Sequence, residues 1–459
     1  MVLITKSGRY SHGLLTRIAD RAAGELEAAG IGPGDPVVVC LPNDVRWVAV
    51  YLALRRIGAV GVPLHAGSAV EEIAHVLGDS GARLALVPGA VAAALTGRFP
   101  DRLVWPDGYA TGARIARGPA SPGPTGVATI AYTSGTTGRP KGVLQSAEAV
   151  AAGGQHLTHR MGWDTGDVVI SALPLAHSYG TNVLNAVLAA EATLVVLPRF
   201  DEPGLFEAVT RTHATAVTGV PTMFRRLLAH PDAELLAGLR CALSAGQSAG
   251  AELARDWEAS VGGAFAEGWG MTELAGFAAL AAPDLPDRHG TVGTAVPGIR
   301  LRVRTDELQV AGIPVTAGYL GSAAGCVDTD GWLRTGDLGS IDATGRVRIH
   351  GRAKDVVLSG GFTIHPAEVE RILARHPAIR DVAVAGLPDP VLGEVTCAWI
   401  VPRSATPPDL DRIVEFCRPH LATYKLPRRL VVLPALPRTG TGKVVRRDLP
   451  APDLAGTSA

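Results

Sequence analysis

The chain has 459 residues, with 43 basic and 43 acidic side chains and a formal charge of zero. That balance gives no electrostatic footprint for nucleic acid or for an anionic membrane surface as the main partner. A hydrophobic content of 47% against 19% charged residues excludes a mostly disordered chain, and the length suits about two to four domains.

Five cysteines, Cys40, Cys241, Cys326, Cys397 and Cys417, stand far apart without a CxxC pair, which excludes a disulfide framework or a structural zinc site. Residues 1–10 lack the apolar core of a secretory signal, and no stretch offers the ~20 uninterrupted apolar residues of a membrane span. The cytoplasm is the expected compartment. Only five basic residues are lysines, Lys6, Lys141, Lys354, Lys425 and Lys443, so each internal lysine asks what an arginine could not do there.

From the N-terminus, the spacing predicts helices over Leu14–Ala29, Val45–Ile57 and Glu71–Leu77. They alternate with short apolar strands at Pro36–Cys40, Ala59–Pro63 and Arg83–Val87. Such alternation implies mostly parallel strands covered by helices on both faces. Residues 108–126, rich in Gly, Pro, Ala and Ser, read as a surface connection.

After the apolar run Val127–Ala131 comes Tyr132-Thr133-Ser134-Gly135-Thr136-Thr137-Gly138-Arg139-Pro140-Lys141-Gly142. Hydroxyls, glycines and one lysine on a loop after a strand are what a polyphosphate needs: open backbone N–H groups, extra donors and a compact cation. It is not a Walker A loop, because Pro140 precedes the lysine and Gly142 follows it.

Further strands are expected at Val168–Ile170, Thr193–Val196, Ala216–Thr218 and Leu239–Leu243. Between the last of these and a helix over Ala251–Ser260 lies Gly246-Gln247-Ser248-Ala249-Gly250, a formal match to a hydrolase nucleophile elbow with Ser248 as nucleophile. Gly268-Trp269-Gly270-Met271-Thr272-Glu273 follows. From about 293 to 350 short alternating strands (Leu301–Val303, Gly345–His350) suggest a β-rich subdomain. A smaller α/β unit comes next, with helices at Pro366–Ala374 and Leu410–His420 and strands at Ile379–Gly386 and Thr396–Val401. The tail 451–459 is expected to be disordered.

The 132–142 loop resembles the phosphate-binding signature of the adenylate-forming superfamily, which includes acyl-CoA synthetases, peptide-synthetase adenylation domains and luciferases. The similarity continues in order along the chain. Gly268–Glu273 is similar to the family's (Tyr)-Gly-x-Thr-Glu motif, with Trp269 in place of the usual tyrosine. Arg334-Thr335-Gly336-Asp337-Leu338 resembles its Thr-Gly-Asp motif, Gly351-Arg352-Ala353-Lys354-Asp355 and 359–370 resemble the next, and Pro437–Lys443 resembles the C-terminal loop that carries the adenylation lysine. The 87–125 interval is short for the family, so peripheral elements are expected to be missing there.

The resemblance implies a large N-terminal α/β domain, 1–350, of helix-covered, mostly parallel sheets plus a β-rich subdomain. A small mobile C-terminal α+β lid, 351–459, would follow, hinged near Lys354. It implies ATP-dependent activation of a carboxylic acid to an acyl-adenylate with loss of pyrophosphate, then transfer to CoA, or alternatively to a carrier-protein phosphopantetheine. ATP, Mg2+ and CoA are the implied cofactors.

By the same resemblance, Thr133, Ser134, Gly135, Thr136, Thr137, Gly138 and Lys141 would hold phosphates. Gly246, Gln247, Ser248, Trp269, Gly270, Met271, Asp337 and Arg352 would hold adenine and ribose. Thr272, His177 and Lys443 would act at the reacting groups, with Glu273 as the magnesium ligand and Gly360 and Gly361 as the wall of a thiol tunnel. The acyl pocket would be lined by His177, Tyr179, Val220, Met223 and Gly268. No Asp occurs between Leu173 and Gly180 to pair with an amino acid's ammonium, so an aryl or short to medium acyl acid is favoured. Tyr179 could donate to a ring hydroxyl or simply pack, and Arg225 and Arg226 could clamp a second carboxylate or lie on a helix surface.

Overall fold

The computed structural model describes residues 1–99, 101–106, 126–133, 140–313, 315–316, 318–322, 327–359, 362–439 and 442–451. The chain separates into two compact units, Met1–Leu301 with Val310–Arg334, and Arg302–Gln309 with Thr335–Ala459. The segment 350–355, expected from sequence to mark the boundary, lies inside the second unit.

Two sheets build the first unit. A six-stranded sheet runs Leu103–Pro106, Leu84–Val87, Pro36–Val39, Val60–Pro63, Val127–Thr133, Lys141–Ser146, parallel throughout except for the last pair. A nine-stranded sheet has a parallel centre, with Thr193–Val196, Val168–Ser171, Ala216–Gly219, Cys241–Ala245 and Ala264–Met271 as neighbours in that order. Val2–Thr5 joins Thr193–Val196 in parallel, and Gly8–Ser11 closes that edge antiparallel. Gly276–Leu280 and Thr294–Ala295 close the other edge antiparallel.

Local chemistry sets the crossover helices. Val45–Ile57 starts where the Asp44 side chain accepts the Arg46 N–H and stops at Gly58, whose φ of +69° suits glycine. Ala251–Val261 likewise ends on left-handed Gly262. Between the helices and the nine-stranded sheet, Phe224 meets both Trp257 and Phe265 edge-on with ring centroids 5.1 Å apart. All three are buried in one cluster with Leu227, Ala242 and Leu253. Truncating any of these rings would cost roughly 3–5 kcal/mol.

The expected α/β class with a β-rich part holds, and the differences are local. The strands Val2–Thr5 and Gly8–Ser11 went unread because four residues give too short a pattern. In the short interval after Val87 the described residues still form a helix, Gly89–Arg98, and a strand, Leu103–Pro106.

The second unit carries its own core. Gly393–Pro402 pairs antiparallel with Ile379–Asp389, parallel with Arg429–Val432, and at Gly393 with Ser359 of the strand Val357–Ser359. Helices Pro366–Leu373 and Leu410–Cys417 bury Val369, Leu373 and Ile413 against Val384 and Ile400. Lys425, the internal lysine that no motif explained, is an ion-pair partner here: its Nζ lies 2.7 Å from Glu368 Oε2.

Candidate active site

Two strands present the phosphate motif. Val127–Thr133 and Lys141–Ser146 form an antiparallel pair in which Thr133 faces Lys141, so the loop between them is bracketed by a hydroxyl and an ammonium. Ser134, Gly135, Thr136, Thr137 and Gly138 lie outside the described residues. Lys141 is therefore the first residue of a strand rather than part of the loop. Gly142 is obligatory, since a Cβ there would lie 2.8 Å from Ile130 Cγ2.

Two motifs that are 130 residues apart in the chain meet through a residue that the sequence reading missed. The Lys141 ammonium lies 5.8 Å from the Tyr319 ring centroid, within cation–π range. The Tyr319 hydroxyl in turn donates to Glu273 Oε1 at 2.9 Å. Around this chain of contacts, Thr316 N–H donates to the Glu273 carbonyl at 2.7 Å, and Gln145 Nε2 donates to the Thr272 carbonyl at 2.7 Å. Tyr319 and Gln145 carry no motif of their own. Gln145 could have been suspected only from a buried amide on a strand that starts at Lys141.

Trp269 lies on the strand Ala264–Met271 and is buried, with a register shift between it and Gly270. Its flanking glycines are steric requirements. A Cβ on Gly268 would come within 2.6 Å of the Phe277 ring, and one on Gly270 within 2.0 Å of the Gly276 carbonyl oxygen. Beyond Met271, Thr272 and Glu273 occupy a short 3-10 turn that ends on Ala275 at φ +50°, a left-handed conformation unusual for alanine. Glu273 is buried.

The stretch 246–250 joins the strand Cys241–Ala245 to the helix Ala251–Val261, with both terminal glycines left-handed, Gly246 at φ +86° and Gly250 at +81°. A buried carboxyl, Glu267, stands against it. Its Oε1 accepts the Ala249 N–H at 2.8 Å. Burial pushes the Glu267 carboxyl up to about 7, against the pull of hydrogen bonding from Ala249 and of the Arg225 charge.

His177 caps the helix Ser178–Ala189, its Nδ1 accepting the Tyr179 N–H at 3.2 Å. In the neutral ring that acceptor role leaves the proton on Nε2. Gly180 permits the tight bend before it: a Cβ there would lie 2.2 Å from the Pro174 carbonyl oxygen. Tyr179 is buried, donates its hydroxyl proton to the Leu243 carbonyl at 2.8 Å, and sets its ring edge on Phe277 at 5.5 Å. Its one proton is therefore committed inside the protein, and its ring and that of Phe277 form one aromatic pair beside Gly268. Val220 is close to the Gly246 backbone, since a Cβ on that glycine would lie 3.7 Å from Val220 Cγ1. Met223 follows on the helix Pro221–Leu228. Arg226 is spoken for by Glu202, with Nη2 2.6 Å from Oε2, and Arg225 Nη2 donates to the Ala249 carbonyl at 3.3 Å.

In the second unit Asp337 and Arg352 are register partners on adjacent antiparallel strands, with Nε 2.6 Å from Oδ1. Lys354 follows in the 3-10 turn Ala353–Asp355. The Lys443 ammonium is held below the ordinary lysine range, first by desolvation and then by the Arg352 and Lys354 cations, with Asp337 and Asp355 opposing. Two arginines pin the loop that bears it. Arg438 Nη2 lies 2.6 Å from Asp381 Oδ2, and Arg446 Nη2 lies 2.6 Å from Glu370 Oε1 while its Nη1 reaches Asp355 Oδ2 at 3.3 Å. Gly360 and Gly361 lie outside the described residues.

Among the described residues no group of three or more His, Cys, Asp or Glu side chains is placed to hold a metal. No helix among them is long and apolar enough to cross a membrane.

With this arrangement in view, comparison with known proteins is direct. Residues 1–320 match the AMP-binding enzyme family and residues 368–443 match the AMP-binding enzyme C-terminal domain. The chain is 32% identical to a 3-[(3aS,4S,7aS)-7a-methyl-1,5-dioxo-octahydro-1H-inden-4-yl]propanoyl:CoA ligase of Mycobacterium tuberculosis, over 97% of this chain and 94% of that protein. It is 33% identical to a feruloyl-CoA synthase of an Amycolatopsis species, over 95% and 92% respectively. Among solved structures, ATP-bound MatB from Rhodopseudomonas palustris superposes with a TM-score of 0.87 at 31% identity, covering 97% of this chain and 94% of that one. The chain belongs to the AMP-binding family of adenylate-forming enzymes. It is an acid–thiol ligase of the AMP-forming acyl-CoA synthetase type.

Proposed function

We propose that the chain activates an aryl or short to medium acyl carboxylic acid with ATP and passes the acyl group to the thiol of CoA. The observation that carries the site assignment is the Lys141–Tyr319–Glu273 contact chain, which brings the two nucleotide motifs of the first unit into one neighbourhood.

Adenylation joins two anions: the carboxylate oxygen attacks the α-phosphorus and pyrophosphate leaves. Catalysis therefore depends on cations and donors placed where negative charge gathers. In this reading Thr133, Lys141 and the loop they bracket hold the β- and γ-phosphates, and Thr272 contacts the α-phosphate. Trp269 offers its face to adenine, Asp337 accepts from the ribose hydroxyls with Arg352 beside it, and Lys443 supplies the ammonium that draws the acid toward the α-phosphate. Lys354 is the hinge of a lid over 351–459, and Gly360 and Gly361 line the thiol's approach.

Magnesium fits this site as a companion of the nucleotide. The buried Glu273 carboxylate directly follows Thr272, and Mg2+ is commonly bound by one or two carboxylates plus substrate phosphates. When bound it would neutralise phosphate charge, with Glu273 as its protein ligand.

Three features support the acid class. The 173–180 bend carries no Asp for an amino acid's ammonium, Arg226 is engaged by Glu202, and Val220, Met223, Tyr179 and Phe277 offer apolar surface. Relatives named for feruloyl and for a bicyclic propanoyl group point the same way. A panel of acids assayed for ATP–pyrophosphate exchange, and for AMP release with and without CoA, tests the reading. Exchange with aryl acids and CoA-stimulated AMP release is the expected result. Exchange without CoA stimulation, restored by a phosphopantetheinylated carrier protein, would move the acceptor to that carrier. Exchange only with amino acids would overturn the acid class.

A further inference from the structure

The stretch 246–250 is bounded by two left-handed glycines, so its own backbone preferences do not fix its path. Something else must, and the structure shows one residue, Ala249, gripped from two directions. The N–H of Ala249 donates to Glu267 Oε1 at 2.8 Å, and the carbonyl of the same residue accepts from Arg225 Nη2 at 3.3 Å.

We propose that Glu267 and Arg225 are positioning residues that hold the 246–250 stretch in the shape that receives the nucleotide base. The proposal rests on the reading that this stretch and Trp269 flank adenine.

Placement favours a role beyond simple packing. Glu267 lies on the strand Ala264–Met271, the last of the parallel run, opposite Ser244 in register, so the sheet fixes its position. Trp269 is two residues further along the same strand, and alternate strand residues share a face. One rigid element thus carries both the clamp and the ring. Arg225 belongs to the helix Pro221–Leu228, which also bears Met223 and directly follows Val220, so the grip ties the base-binding stretch to the wall proposed for the acid. A carboxyl kept in the interior is costly unless its hydrogen bonds are used, and here they are spent on this stretch alone among the contacts described.

Pyrophosphate exchange on the whole protein, with ATP and acid varied separately, tests this for Glu267→Ala, Glu267→Gln, Arg225→Ala and Trp269→Ala. Loss of the clamp should raise KM for ATP about tenfold in Glu267→Ala and about three- to tenfold in Arg225→Ala. KM for the acid should stay within about twofold. Glu267→Gln keeps an oxygen for the Ala249 N–H, so it should recover most of the ATP affinity lost in Glu267→Ala.

If Trp269→Ala raises KM for ATP while both clamp variants leave it unchanged, the clamp is refuted and the adenine reading stands. If none of the variants changes it, the adenine reading fails and the proposal with it. Should Glu267→Ala not fold, Arg225→Ala decides, because Arg225 is exposed and its truncation leaves the core intact.

Discussion

Asp337 and Arg352 face each other across neighbouring antiparallel strands with Nε and Oδ1 2.6 Å apart, although 14 residues separate them in sequence. The pairing gives the carboxylate a fixed orientation before any nucleotide arrives. Asp337→Asn should keep the fold and raise KM for ATP at least tenfold, because the neutral amide accepts less strongly from two hydroxyls. Isothermal titration with AMP gives the same comparison without turnover, and unchanged affinity would remove Asp337 from the ribose.

Lys443 should matter for one half-reaction only. Lys443→Ala is expected to lower adenylation by two or more orders of magnitude, while thioester formation from synthetic acyl-adenylate stays within a fewfold. Equal loss in both steps would refute the division of labour. Its ammonium gives up its proton below the usual lysine range, chiefly through desolvation and then the Arg352 and Lys354 cations. A cation needed for attack is present below its folded pKa and lost above it, so adenylation should decline with rising pH before an ordinary lysine would titrate. Lys443→Arg should remove that alkaline decline from whatever activity remains.

Tyr319→Phe keeps the ring beneath Lys141 but deletes the hydroxyl that donates to Glu273. KM for Mg-ATP should rise about three- to tenfold, with KM for the acid unchanged. Tyr319→Leu, which also removes the ring, should be worse. Identical kinetics in the two variants would assign the effect to the hydroxyl alone.

Glu267 predicts a pH dependence of stability. Its carboxyl is pushed up to about 7 from an ordinary value of 4.5, with burial as the leading cause. Between those values the folded chain holds a proton that the unfolded chain releases. The residue's contribution to stability therefore falls as pH rises through that window and is flat on either side. Glu267→Gln cannot ionise, so its stability relative to the parent should rise from pH 4.5 to 8 by on the order of 3 kcal/mol at most, read as a growing Tm difference. A Tm difference that does not change with pH would show that the carboxyl does not titrate in this range.

Legibility followed the physics of each signal. Val45–Ile57 was readable to the residue because a capping Asp44 and a left-handed Gly58 both mark its ends. The glycines at 142, 268 and 270 were visible as motif letters, yet their cause is steric and lies in partners far along the chain, Ile130, Phe277 and Gly276. Tyr319, Gln145 and Glu267 were invisible for the converse reason. Each is an ordinary residue type whose importance comes from what the fold sets against it. Tyr179 and Arg226 show the same limit: sequence left each with two roles, and the Leu243 carbonyl and the Glu202 carboxylate occupy them. Of the four internal lysines, three fall in the motif stretches of the sequence, and the fourth, Lys425, is the ion-pair partner of Glu368.

The contact between Gly180 and the Pro174 carbonyl also bears on re-engineering. A bend with no spare volume cannot be widened by degrees, so on the proposed acid-pocket reading the His177 segment is a fixed datum for redesign of acid preference. On that reading adjustment belongs instead on the short helix that starts after Val220, where trimming or exchanging Met223 leaves the bend undisturbed.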